Sequence, residues 1–332
     1  MKPKQVGDHA RSTSTEAIAW RGHDAWHLTD GTLEVVIVPR LGGKIAQITD
    51  LRTGREWLHG ASKSPPEPVY GARFVDYDPS GWDEMIPTID PCRYPVDGRW
   101  ATRWLPDHGE AWMLPWQVIP QRPGSSALTL RVEGRVLPYQ LTRTAELVGP
   151  GKLRLKYRLL NLADEPFACL WAAHPLFRVD EGCRVELPAH VRGVVNVRHD
   201  PDWGSPDEPI GFPVGVGADG SRVDLGSVAP APTGRCRKHY LPPNDSAPWS
   251  RLRHLDGASL TMHVDPTAVP YLGLWVDEGV RGGQPMIALE PATGYYDALD
   301  RAHRLGHFTW LEPGTPRTWW LDVEIEPPPL LR

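Results

Sequence analysis

The chain of 332 residues carries 36 Lys and Arg against 41 Asp and Glu, a formal net charge of −5, which excludes general attraction to nucleic acid or anionic membranes. Hydrophobic residues at 40% and charged residues at 23% are globular values and exclude wholesale disorder. The 36 prolines and 32 glycines leave little room for long helices, because proline removes a backbone donor and glycine costs backbone entropy.

The N-terminal MKPKQVGDHARSTSTE has no apolar core segment and does not read as a signal peptide. Residues 1–15 lack a hydrophobic pattern and are expected to be loosely ordered, ahead of a single domain over 16–332. TLEVVIVP at 32–39 reads as a strand, and LGGK at 41–44 as the turn after it. ALTLRVEGRV at 127–136 and YQLTRTAEL at 139–147 read as two more strands. Val148-Gly149-Pro150-Gly151 forms a turn into KLRLKYRL at 152–159, where Leu153, Leu155, Tyr157 and Leu159 share one face and four cations the other. The Pro-rich stretches at 64–68, 226–233 and 241–248 read as loops or covers. SLTMHV at 259–264 alternates like a half-buried strand, and one short helix is expected at 296–303. TWWLDVEIE near the C-terminus points Trp319, Leu321, Val323 and Ile325 inward. The fold class is therefore all-β, a large antiparallel β-sandwich.

No stretch approaches the ~18–20 apolar residues of a membrane span. Cys92, Cys169, Cys183 and Cys236 form no C-x-x-C pair and read as free thiols of a cytoplasmic protein. The 15 tryptophans read first as a Trp-rich core, the alternative being that a few of their faces stack on the C–H faces of sugar rings. Among the histidines, His9, His23, His199 and His303 sit in exposed polar contexts.

Four segments can carry chemistry. In GWDEMIPTIDPC at 81–92, the adjacent Asp83 and Glu84 enter an apolar stretch, as a turn cap or as wall carboxylates for ligand hydroxyls. In LPDHGEAW at 105–112, an H-x-E pair on a strand puts His108 and Glu110 on one face. A turn histidine capped by Asp107, a hydroxyl contact and a metal site are the readings there, the last lacking further ligands at recognisable spacing. His174 in LWAAHPLFRV is a satisfied core residue or, facing a cavity, a proton donor with an ordinary pKa near 6.5. Glu290 ends an apolar strand in PMIALEPATG, as a buried structural carboxylate or a base with a raised pKa. No G-x-S-x-G elbow, P-loop, H-E-x-x-H or G-x-G-x-x-G ahead of a helix is present.

Taken in order, TLEVVIVPRLGGKIAQITDLRTGREWL, GWDEMIPTIDPC, LPDHGEAW, AAHPLF, IALEPATG and LEPGTPRTWWLDVEI resemble the aldose 1-epimerase, or galactose mutarotase-like, superfamily. The resemblance implies a β-supersandwich with an open cleft for an aldose. It also implies an isomerase that interconverts α and β anomers by acid–base ring opening. Glu290 matches the family's base, His174 its acid and His108 its second, substrate-contacting histidine. Arg73 in YGARF partly echoes the family's asparagine–arginine pair. Trp82, Asp83, Glu84 and Glu110 are expected among the groups that hold the sugar. GWDEM marks a divergent branch, and the segment nearest the family's ligand-holding Asp is the basic GRCRKHYLPP. Arg237 in that segment extends the expectation to an aldose bearing a phosphate, sulfonate or carboxylate. Neither metal nor cofactor is expected, and the only partner is a small-molecule sugar, bound by a monomer or homodimer. The alternatives are a non-catalytic carbohydrate-binding protein and another sugar epimerase or isomerase on the same fold.

Overall fold

A computed structural model describes residues 13–329 except 61–63, 123–124, 180–181, 199–202, 204, 218 and 282. The alternating segments become two large antiparallel sheets packed face to face. The first has 12 strands, and its path places Lys44–Asp50, Trp82–Met85, Ala172–Arg178, Pro285–Ala292, Tyr271–Glu278 and Arg235–Tyr240 side by side. The second has 9 strands, with Ser259–Val264, Arg317–Glu326, Lys152–Asn161, Tyr139–Gly149 and Ala127–Glu133 at its centre. The first strand, Ser14–Trp20, begins inside the segment expected to be loosely ordered. His9 and His199 lie outside the described residues, and His23 and His303 are partly exposed.

Side-chain alternation decides what fills the space between the sheets. In Arg317–Glu326, Trp319, Leu321, Val323 and Ile325 are buried there. They meet Leu153, Leu155, Tyr157 and Leu159 across the antiparallel register. The first sheet contributes Ile287 and Leu289 together with Leu272, Leu274 and Val276 to the same core. The single described α-helix, Leu299–Leu305, lies slightly beyond the expected helix and ends at Gly306, with φ of 74°. All four cysteines are free thiols. Among the described residues no helix is long and apolar enough to cross a membrane.

The residues that alternate with this core face outward from the first sheet. On Pro285–Ala292 they include Met286, Ala288 and Glu290. Met286 and Ala288 join Leu176 and Trp275 in a separate apolar cluster. This outer face forms the floor of a cleft.

Candidate active site

The cleft has a volume of about 740 Å³, within the range of small-molecule sites. Its floor is Glu290, His174, Lys238 and Trp275, and its walls include Arg73, Phe74, His108 and Asp297. Glu290 and His174 stand on neighbouring antiparallel strands, and His174 Nε2 lies 3.8 Å from Glu290 Oε1. Both are buried, and Glu290 Oε1 and His174 Nδ1 have no hydrogen-bond partner. Buried polar atoms are nearly always satisfied, so two such atoms at one cleft floor require an explanation.

Lys238 occupies the other oxygen of Glu290. Its Nζ lies 2.5 Å from Glu290 Oε2 and 3.0 Å from Asp297 Oδ1. Tyr240 also donates to Asp297 Oδ1, at 2.7 Å. Gly273 faces Glu290 across the strand pair. A Cβ there would stand 3.4 Å from Lys238 Cε and 3.2 Å from Tyr240 Cζ, so the missing side chain leaves the slot that Lys238 crosses. Asp297 follows Tyr296, a non-glycine residue at φ of 70°, a conformation that persists only where its surroundings hold it. Tyr296 is held by its hydroxyl on Asp207 at 2.6 Å and by the Arg301 guanidinium 4.0 Å from its ring centre.

The charges set the protonation states. Burial pushes the Glu290 carboxyl above the ordinary carboxylate range, and Lys238 pulls against that rise. Burial alone would lower Lys238, but Asp297 and Glu290 outweigh it and hold the ammonium more firmly protonated than usual. His174 is pushed well below the usual imidazole value, first by burial and then by His108, Lys238 and Lys44. The ordinary histidine pKa expected from the sequence therefore does not hold, and the imidazole is uncharged at neutral pH.

His108 packs its ring against this pair. It stacks on Phe74 at 4.2 Å and meets His174 edge-on at 5.3 Å. Its Nδ1 lies 2.8 Å from Asp107 Oδ1, so the Asp107-capped turn histidine and the cleft-wall histidine are one residue. The H-x-E strand expectation fails, because His108 and Gly109 adopt φ of 57° and 68° in a turn. A Cβ on Gly109 would meet Ile86 O at 2.1 Å, so only glycine fits there. The turn sends Glu110 into the interior, where it accepts hydrogen bonds from Tyr70 Oη and the Arg135 and Val136 amides.

Arg73 lines the cleft as expected and is largely exposed. Four other expected sugar contacts are corrected along with Glu110. Trp82 is fully buried in the main core. Asp83 and Glu84, adjacent on one strand, point to opposite faces. Asp83 lies under the cleft floor, its Oδ2 2.5 Å from Lys44 Nζ. Glu84 points between the sheets, receiving Arg143 at 2.7 Å, Tyr157 at 2.9 Å and Trp171 at 2.8 Å. Arg237 lies on the strand Arg235–Tyr240. Its side chain turns away from the cleft to Glu278 at 3.0 Å, and it is buried. Its neighbour Lys238 takes the cleft side. Alternation along RCRKHY was the signal that could have selected Lys238. Asp297 had no comparable local signal, since its place depends on the strained Tyr296 turn.

The described residues contain no group of three or more His, Cys, Asp or Glu able to hold a metal ion. What they build is a β-sandwich with a carboxylate–imidazole pair open to a cleft. No protein-family model matches the chain, and no curated protein matches it. Solved structures do. The Slr1438 protein from Synechocystis sp. PCC 6803 is similar at TM-score 0.67 and 21% identity, over 93% of this chain and 98% of that one. A galactose mutarotase-like protein from Clostridium acetobutylicum gives TM-score 0.67 and 15% identity, over 95% and 99%. A galactose mutarotase related enzyme from Lactobacillus acidophilus gives 0.62 and 14%, over 95% and 98%. The chain has the galactose mutarotase-like fold.

Proposed function

We propose that the chain is a mutarotase that interconverts the α and β anomers of an aldose by opening and reclosing its ring. The observation that carries this reading is the unpartnered pair at the cleft floor, Glu290 Oε1 and His174 Nδ1. Ring opening moves one proton from the anomeric O1 hydroxyl to the ring oxygen O5, breaking C1–O5 and forming the C1 carbonyl. Glu290 takes the proton from O1; its raised affinity makes it a better base near neutrality than an ordinary carboxylate. His174 donates an N–H to O5.

An uncharged imidazole can give up one proton only if its other nitrogen recovers one. Nε2 stands 3.8 Å from the Glu290 oxygen that has just been protonated, so the proton taken at O1 is returned through the pair. The half-reaction leaves Glu290 ionised again and the imidazole neutral, with its proton moved from Nδ1 to Nε2; ring closure by the reverse path moves it back. Rotation about C1–C2 and reclosure by the reverse path give the other anomer. Each positioned proton transfer contributes typically 10²–10⁴-fold. Lys238 keeps Glu290 ionised until the hydroxyl arrives, and Trp275, 6.1 Å from the His174 ring, offers its face to the sugar.

The test is magnetisation exchange between anomers across a panel of aldoses, with Glu290→Gln as control. The wild-type chain should speed α/β exchange of at least one sugar, and the variant should lose at least ~10² of that rate. Bound sugar without accelerated exchange would make the chain a carbohydrate-binding protein. A change of configuration at a carbon other than C1 would make it a different epimerase.

A further inference from the structure

Two arginines of the cleft have no role in the proton transfers. Arg198 follows the strand Gly193–Asn196, and Arg281 follows Tyr271–Glu278. Both line the cleft. They flank one position: Arg198 Nη1 reaches Cys236 Sγ at 2.9 Å, and Cys236 pairs across the strands with Asp277, which accepts the Arg281 amide at 3.1 Å. Both guanidinium charges act on the Cys236 thiol, against the larger effect of burial. The Asp277 carboxylate acts on the same thiol in the opposite sense and is turned into the backbone amides of Val280 and Arg281. Two guanidinium charges therefore face one carboxylate already engaged by amides. Arg281 is exposed and has no carboxylate partner among the described residues.

The position of this pair relative to the proposed chemistry follows from register. Gly273 pairs with Glu290, while Asp277 pairs with Met286, four residues along the same strands. At ~3.3 Å per residue that is roughly 13 Å of strand. Trp275 stands between the two ends. One end thus deprotonates a hydroxyl beside Trp275, and the other presents excess positive charge beyond it.

We infer that this far end seats an anionic group, so that the substrate is an aldose carrying a phosphate, sulfonate or carboxylate remote from C1. The inference rests on the mutarotase reading of the near end. It replaces Arg237, which the fold turns away, with Arg198 and Arg281. Arginine suits the task because its planar fork meets such a group with two parallel hydrogen bonds. The net charge of −5 supplies no general attraction for anions, so the preference is local.

The experiment compares D-glucose with D-glucose 6-phosphate, 6-deoxy-6-sulfo-D-glucose and D-glucuronate, by anomer exchange and by calorimetric titration at low salt. At least one anionic sugar should exceed glucose in kcat/KM or affinity by on the order of tenfold, shrinking as salt rises. The best of the three identifies the anion. In Arg198→Ala/Arg281→Ala the ratio should fall to about one, while Arg281→Lys should retain part of it. Because Arg281 is exposed, Arg281→Ala alone tests the seat should the double variant not fold. A ratio near one for all three anions in the wild type, or an unchanged ratio in the variants, overturns the inference. Preferential binding of an anion without exchange of any sugar keeps the seat and removes the mutarotase reading. Exchange of glucose without anion preference does the reverse.

Discussion

Replacing Lys238 by Met removes the cation 2.5 Å from Glu290 and 3.0 Å from Asp297. Methionine matches the length of the lysine stem, so the slot beside Gly273 stays filled. An opposite charge at such a distance typically lowers a carboxyl pKa by about 1–3 units. Its loss should raise the Glu290 titration by that amount, with the now unneutralised Asp297 adding in the same direction. In the wild type Glu290 must be ionised to act, so the rate falls as pH drops through its already raised pKa. In the variant that acid limb should move up by about 1–3 pH units. Between the old and new midpoints kcat/KM should fall about 10- to 10³-fold, and it should recover towards the wild-type value at high pH. Lys238→Arg, which keeps the charge, should restore much of the original midpoint. The assay is anomer exchange measured from pH 5 to 10. A uniform loss at every pH with an unmoved midpoint would refute the electrostatic role and leave Lys238 as a structural residue.

Three further outcomes follow from the same geometry. His174→Asn should lose anomer exchange to an extent similar to Glu290→Gln, and the double variant should lose far less than the product of the two, since the pair acts as a unit; multiplicative losses would separate their roles. Glu84→Leu leaves Arg143 buried without its carboxylate and should cost about 3–5 kcal/mol in urea denaturation, whereas unchanged stability would remove Glu84 from the inter-sheet network. His239 is buried, and its pKa is lowered to about 4 by burial and then by Arg237; His174 shifts in the same direction. Both folded-state values lie below the unfolded one near 6.5, so their contribution is complete above that pH and is lost as pH falls towards 4. His239 alone should account for about 3 kcal/mol, and a fall in urea midpoint between pH 7 and pH 4.5 that is no smaller in His239→Gln would contradict this.

The architecture was legible because alternation is a local property. KLRLKYRL and TWWLDVEIE pair side by side in the structure with the inward residues that their pattern assigns. Glu290 and His174 were legible because a single polar group in an apolar run stands out, and both line the cleft. The wall contacts were harder, for two physical reasons. Where a segment was treated as a unit, as with Asp83–Glu84 or Arg237–Lys238, the two-residue period of a strand sends neighbours to opposite faces, and only one of each pair lies on the cleft side. Where the chain turns, as at His108–Gly109 or Tyr296–Asp297, direction depends on backbone dihedrals that hydrophobic periodicity does not encode. The pKa of His174 was also invisible in the sequence, because it depends on burial and on charges brought from Lys44, His108 and Lys238.

The bare position at Gly273 links two sites that are far apart in sequence. A Cβ there would press on the Tyr240 ring at 3.2 Å and only touch Lys238 Cε at 3.4 Å, so 273 is coupled to 240 more tightly than to 238. An engineer who wanted a side chain at 273 would have to set positions 273 and 240 together. A smaller side chain at 240 would leave room for alanine at 273, whereas the present tyrosine ring would have to give way by a few tenths of an ångström. The tyrosine that holds Asp297 is thus constrained by a residue that carries neither charge nor side chain.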